Sequence, residues 1–73
     1  MDRVLKTLKK NSSEEIRISL SDFNGRQVIN IRVFYLGPNG EWLPGKKGLA
    51  FTVDKLQPFL NALQEAAKQL DGG

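Results

Sequence analysis

The stretch from Phe23 to Leu36 constrains this chain most. It opens on an aromatic residue, turns at Asn24-Gly25, and runs on as Arg26-Gln27-Val28-Ile29-Asn30-Ile31-Arg32-Val33-Phe34-Tyr35-Leu36. Asn-Gly between two β-type runs is the strongest short hairpin signal, because a type I′ turn needs positive φ at both central residues. The run before it alternates, with Ile16, Ile18 and Leu20 on one parity and Arg17, Ser19 and Ser21 on the other. That is a strand with one buried face. The run after it is apolar on both parities, as in a central or doubly covered strand, and only Asn30 and Arg32 interrupt it.

The remaining segments fall into place around that hairpin. Val4 to Lys10 is short and fits either a helical stripe or a lysine-bearing edge strand; we favour the strand. Asn11-Ser12-Ser13 is a polar connector. Gly37-Pro38-Asn39-Gly40 is a second turn. After it, Pro44 and Gly45 predict a strand that is bulged, broken or at an edge, with Leu49 and Phe51 resuming the core pattern. Leu56, Phe59, Leu60, Leu63, Ala66, Ala67 and Leu70 then recur at helical spacing. If Thr52 or Asp54 starts that helix, Pro58 is an irregularity: either a tight turn precedes a helix beginning near Gln57, or the helix is kinked. The resulting division is 1–13, a strand or arm with its connector; 14–51, the sheet; 52–70, the helix; and 71–73, a tail. The fold class is α+β, a four-stranded antiparallel sheet followed by one C-terminal helix (ββββα). The helix is expected to cover one sheet face and to offer its stripe to a partner's helix.

Size and charge bound the function. A chain of 73 residues buries only about 60% of its unfolded surface. With no cysteine and no histidine, neither disulfides nor an ordinary metal site reinforce it. Oligomerisation is the usual remedy, so we expect a homodimer through Phe59, Leu60, Leu63, Ala67 and Leu70. The net charge is +3, but the strand region to Ala50 carries nine Lys/Arg against five Asp/Glu, and the remainder two against three. A basic sheet suits a polyanion. The first ten residues hold no signal-type apolar core, and no run approaches the roughly 20 apolar residues of a membrane span. The expectation is a soluble, intracellular protein without a membrane partner.

Catalysis is not expected. No His or Cys is present as base, nucleophile or soft ligand, and the adjacent acids Glu14 and Glu15 point to opposite faces of a strand. Gly45-Lys46-Lys47-Gly48 lacks the spacing and the Ser/Thr of a phosphate loop. No cofactor, metal or small-molecule substrate is implied.

Single-strand binders combine a basic groove with rings on which bases stack. The candidate rings are Phe23, Tyr35 and Trp42; the candidate cations are Arg17, Arg26, Arg32, Lys46 and Lys47. Each has an alternative. Phe23 also reads as a core residue at a strand end, Tyr35 and Trp42 as a structural pair across the second turn, and the two lysines as solvated edge charge. Arg32, midway along an apolar strand, requires an anionic partner or a wet face.

Three segments then carry a resemblance: Ser19-Leu20-Ser21-Asp22-Phe23-Asn24-Gly25-Arg26, Ile29-Asn30-Ile31-Arg32-Val33-Phe34-Tyr35, and Gly40-Glu41-Trp42-Leu43-Pro44-Gly45-Lys46-Lys47-Gly48. Together they resemble the single-stranded-DNA-binding domain of the transcriptional coactivator p15, or positive cofactor four, family, from about Glu14 to Leu70. The resemblance implies a dimer whose β-surface holds unpaired DNA, with Phe23 and Tyr35 stacking on bases and Arg26, Arg32 and Lys47 on phosphates, Lys46 nearby. Asn24 and Leu43 stand where the family usually has Lys, and Trp42 offers an extra ring. Alternation nevertheless puts Arg32 and Tyr35 on opposite faces. The chain looks like the short bacterial version, so the expected location is the cytoplasm and nucleoid, or the nucleus in a eukaryote. The expected activity is sequence-nonspecific binding of single-stranded DNA. RNA is the alternative ligand, and a dimeric protein-interaction module using Trp42 and Phe34 is the alternative class.

Overall fold

A computed structural model describes residues 2–71. Four strands, β1 (Arg3–Asn11), β2 (Glu14–Phe23), β3 (Arg26–Leu36) and β4 (Trp42–Thr52), form one antiparallel sheet in sequence order. The N-terminal segment is therefore a strand. At the β2–β3 turn Asn24 has φ 52° and Gly25 φ 77°, the two positive values of a type I′ turn. That two-residue loop sets an unbroken register: Phe23 opposes Arg26, Ser19 opposes Asn30, Arg17 opposes Arg32 and Glu15 opposes Phe34. The second turn is closed by the Gly40 N–H donating to the Gly37 carbonyl at 3.1 Å, and Gly40 takes φ 81°.

One face of the sheet carries the apolar residues. Ile16, Ile18 and Leu20 of β2 lie opposite Val33, Ile31 and Ile29 of β3, and Leu49 and Phe51 of β4 extend the row. Ile29, at its centre, is 3% exposed and is the one buried hydrophobic side chain among the described residues. β4 is an edge strand with a bulge. Arg32 pairs with Gly48 and Phe34 with Pro44, so Gly45, Lys46 and Lys47 all oppose Val33. Pro44 is tolerated because an edge strand has one unpaired side.

Thr52 ends β4 with extended backbone, and a 3-10 turn over Val53–Lys55 leads into α1 (Leu56–Asp71). Pro58 is the third residue of α1, within the first turn, where backbone N–H groups have no helical acceptor to lose. The helix is preceded by a tight turn and needs no kink at Pro58. Of the expected tail 71–73, Asp71 is the last residue of α1, and Gly72 and Gly73 lie outside the described residues.

The helix does not cover the sheet of its own chain, contrary to the sequence-based expectation. Its contact with the sheet is anchored by Phe59, whose ring centroid lies 5.1 Å from that of Phe51. Every other α1 residue is exposed, Leu63 at 53% and Leu70 at 84%. The physical reason is geometric: the 3-10 turn follows directly on an edge strand, so the helix leaves from the border of the sheet and does not fold back over its centre. The single chain is correspondingly open. Its radius of gyration is 14.3 Å, against about 11 Å for a compact domain of this length. No helix of the described residues is long and apolar enough to cross a membrane.

Candidate nucleic-acid interface

Register decides which candidate residues meet. On the face opposite the apolar row, β2 contributes Glu15, Arg17, Ser19, Ser21 and Phe23, and β3 contributes Arg26, Val28, Asn30, Arg32 and Phe34. Trp42 joins them through its pairing with Leu36. Phe23 and Arg26 are opposite one another where the strands enter the turn, and Phe23 is 67% exposed. A ring so open at a hairpin tip contributes little to a core and is available to stack.

Arg17 and Arg32 are directly opposed, an arrangement that costs free energy unless the charges are separated or paired. The structure turns them apart. Arg17 Nε donates to Glu15 Oε2 at 2.5 Å, and its guanidinium lies 4.2 Å over the centre of the Phe34 ring. Such a cation on a ring face is held electrostatically by the ring quadrupole. Arg32 swings the other way, and its Nη1 donates to the Gly45 carbonyl in the β4 bulge at 3.1 Å. Gly48 faces it across the strand pair: a Cβ there would lie 3.2 Å from Arg32 Cβ and 2.7 Å from the Ile31 carbonyl oxygen. The other interruption of β3, Asn30, is satisfied by donating from Nδ2 to Ser21 Oγ at 2.8 Å. Arg32 thus has a neutral partner, and its charge is not cancelled by an acid among the hydrogen bonds and ion pairs of the described residues.

Not all the candidates share this face. Tyr35 pairs with Glu14 and with Leu43, on the apolar side of the sheet. The bulge lies in β4 and leaves the parity of β3 unchanged, so Tyr35 remains opposite to Arg32. For the same reason Tyr35 and Trp42 lie on opposite faces and do not form a pair across the turn. Lys46 and Lys47 sit in the bulge and line a cleft of about 290 Å³ with Tyr35, Val33, Gly45 and Glu14. The candidates therefore form two groups, Phe23, Arg26, Arg17, Arg32 and Trp42 on the polar face, and Tyr35, Lys46 and Lys47 around the β4 edge. The Gly45 carbonyl, bound by Arg32, joins them.

Further clefts adjoin the polar face. One of about 320 Å³ is lined by Trp42, Glu15, Lys9 and Thr7 together with the β1–β2 turn. Another, of about 420 Å³, lies between the Asn-Gly hairpin and the 3-10 turn, with Arg26, Thr52 and Asp54 in its wall. A hydrogen bond from Thr52 holds the Asp54 carboxyl below the usual carboxylate range. In the β1–β2 turn the Asn11 side-chain amide, 2.9 Å from Glu14 Oε1, and then the Lys10 ammonium do the same for Glu14. Sequence reasoning named Phe34 for its parity and a docking patch but missed it as the seat of Arg17, and it weighed Glu15 only as a catalytic acid, not as the partner of Arg17. The signal was present, since the Asn-Gly register places Glu15, Arg17, Phe34 and Arg32 together.

These features define a class: a four-stranded meander with a trailing amphipathic helix, presenting rings and arginines on an open sheet face. The chain belongs to the Transcriptional Coactivator p15 (PC4) family, whose sequence profile matches residues 10–62. It is 38% identical over 60 residues to the RNA polymerase II transcriptional coactivator KIWI of Arabidopsis thaliana, a match covering 82% of this chain and 55% of KIWI. The chain spans about half the length of the curated relatives it matches. In fold it resembles a PC4 homolog from Burkholderia pseudomallei, with a TM-score of 0.84 at 21% identity over 90% of this chain and 89% of that one. It also resembles MoSub1, solved as a complex with DNA, with a TM-score of 0.64 at 33% identity, covering 92% of this chain and 82% of that chain.

Proposed function

We propose that this protein binds single-stranded DNA as a homodimer, without strict sequence requirement, in transcription, replication or repair. The observation that carries the reading is Arg32: a half-buried cation in the middle of an open sheet face, held by a neutral carbonyl, with the exposed Phe23 ring toward one end of that face and the half-buried Trp42 ring toward the other. A phosphate approaching this face meets the positive charge of Arg32, whose hydrogen-bond partner is neutral, whereas the charge of Arg17 is already paired with Glu15. Phe23 and Trp42 offer π-faces toward either end of that face, and base stacking is worth about 1–3 kcal/mol per base. Bases in a duplex already stack on one another and cannot use these rings. Arg26 extends the basic surface to the hairpin, and the strand reaches Tyr35, Lys46 and Lys47 by passing around the β4 edge at the bulge. MoSub1, similar at 33% identity, was solved with DNA, which supports the same ligand class here.

Dimerisation supplies what the single chain lacks. Leu60, Leu63, Ala67 and Leu70 of α1 are exposed, while Phe59 is engaged with Phe51 of its own chain. A second copy would cover these residues and complete the burial of the half-buried apolar row of the sheet. The test is fluorescence anisotropy with labelled oligo-dT and a duplex of equal length. Tight binding to oligo-dT and weak binding to duplex is the expected result; equal binding to both, or none, overturns the reading.

A further inference from the structure

The cleft under Trp42 contains a group that phosphate binding does not explain. Glu15 is a carboxylate on the face that carries Arg17, Arg26 and Arg32, and a bare carboxylate there repels a polyanion. It is nevertheless built in: its side chain is only 16% exposed, and Oε2 accepts from Arg17 Nε at 2.5 Å. Arg17 in turn is pinned on the Phe34 ring. Oε1 accepts no hydrogen bond among those of the described residues, and Glu15 lines the 320 Å³ cleft together with Trp42, Lys9, Thr7 and Glu14, the last already held by Asn11 and Lys10.

We infer that this cleft is a nucleobase pocket that selects bases carrying an exocyclic amino group, cytosine over thymine among the pyrimidines. The inference rests on the single-strand reading above and adds base preference to it. Trp42 supplies the stacking face. Lys9 takes the phosphate of the nucleotide whose base enters, keeping the backbone at the rim. Glu15 then faces the base edge, not the backbone. A carboxylate accepts from the N4 amino group of cytosine. Thymine presents a carbonyl oxygen at the equivalent position, and two acceptors facing one another leave Oε1 of the part-buried carboxylate without a donor. Arg17 is a positioning residue: by occupying Oε2 it orients the carboxylate so that Oε1 is the free acceptor. Phosphate and stacking interactions elsewhere on the face act on any sequence, so the pocket biases composition and does not impose a site.

The test compares oligo-dC with oligo-dT of equal length by fluorescence anisotropy at neutral pH, where cytosine is unprotonated. A hydrogen bond to a charged group sets the expected preference at about tenfold for oligo-dC. Glu15→Gln should reduce that ratio to about twofold or less while oligo-dT affinity is retained, which also shows that the variant is folded. An oligonucleotide of N4,N4-dimethylcytosine, with no N–H to donate, should bind the unaltered protein like oligo-dT. Equal affinity of the unaltered protein for oligo-dC and oligo-dT overturns the pocket and leaves single-strand binding standing. So does a preference that survives in Glu15→Gln or in the dimethylated strand. Binding of neither oligonucleotide overturns both.

Discussion

Gly48 shows how one residue shapes the polar face. A Cβ placed on it would meet the Ile31 carbonyl oxygen at 2.7 Å and the Arg32 Cα at 3.0 Å, both backbone atoms that cannot rotate away. Gly48→Ala should therefore cost about 1–3 kcal/mol, the usual range for forcing extra volume into a packed site. Urea denaturation measures it, and an unchanged midpoint would show that the β3–β4 pairing is looser than described. Glu14 gives a pH-dependent counterpart. Its carboxyl is held below the ordinary 4.5 first by the Asn11 amide and then by Lys10. A folded-state pKa below the unfolded one stabilises the fold above the unfolded value, and that contribution is lost as pH falls through the folded value. Asn11→Ala should return the Glu14 pKa toward 4.5, as read by NMR titration of its side-chain carboxyl; a titration identical to that of the unaltered protein would remove Asn11 as the cause.

At the scale of elements, the β2–β3 hairpin, the edge strand β4 and the helix differ in what stabilises them. The β2–β3 hairpin is specified locally, because Asn24-Gly25 fixes both the turn and the register. β4 is specified at a distance: its two-residue excess opposite Val33 is accommodated where Gly45 passes Val33 closely and its carbonyl receives Arg32. The helix α1 is amphipathic with its apolar side uncovered except at Phe59, and in proteins most helical stability comes from packing such a face. A partner's surface is the proposed source of its stability. Leu63→Glu would place a charge in that contact, and the expected outcome is loss of the dimer with much of the fold. Light scattering together with circular dichroism reads both, and a well-folded monomer would contradict the assigned contact.

The whole molecule is flat, with extents of 43 × 36 × 18 Å. Its accessible surface is 5815 Å², where a monomer of this mass is expected to show about 4,500 Å². The excess exceeds the roughly 800 Å² that each partner buries in a standard interface, which supports a second copy as part of the folded unit. A flat platform with a basic polar face also predicts how binding responds to salt. Log affinity for oligo-dT should fall by about 0.7 per log unit of salt for each phosphate neutralised. Arg32→Ala should lower that slope by about one phosphate. An unaltered slope would show that Arg32 supports the bulge and does not contact the backbone of the ligand.

The chain's local order was enough to establish three strands, a helix and the type I′ turn, which in turn fixes the register of β2 on β3, while Val4 to Lys10 fitted a strand or a helical stripe until the structure made it β1. These follow from short-range effects: side-chain alternation, positive φ at Asn24 and Gly25, and apolar spacing in α1. The same alternation separated Tyr35 from Arg32 without any coordinates. The bulge in β4, the seat of Arg17 on Phe34 and the departure of the helix from its own sheet depend instead on contacts between residues far apart in sequence. Pro44 and Gly45 announced a disruption but not its position opposite Val33, and the amphipathic stripe of α1 reads the same whether its partner is its own sheet or another subunit. Folding settled those matters because packing, unlike backbone preference, is decided by what arrives from elsewhere in the chain.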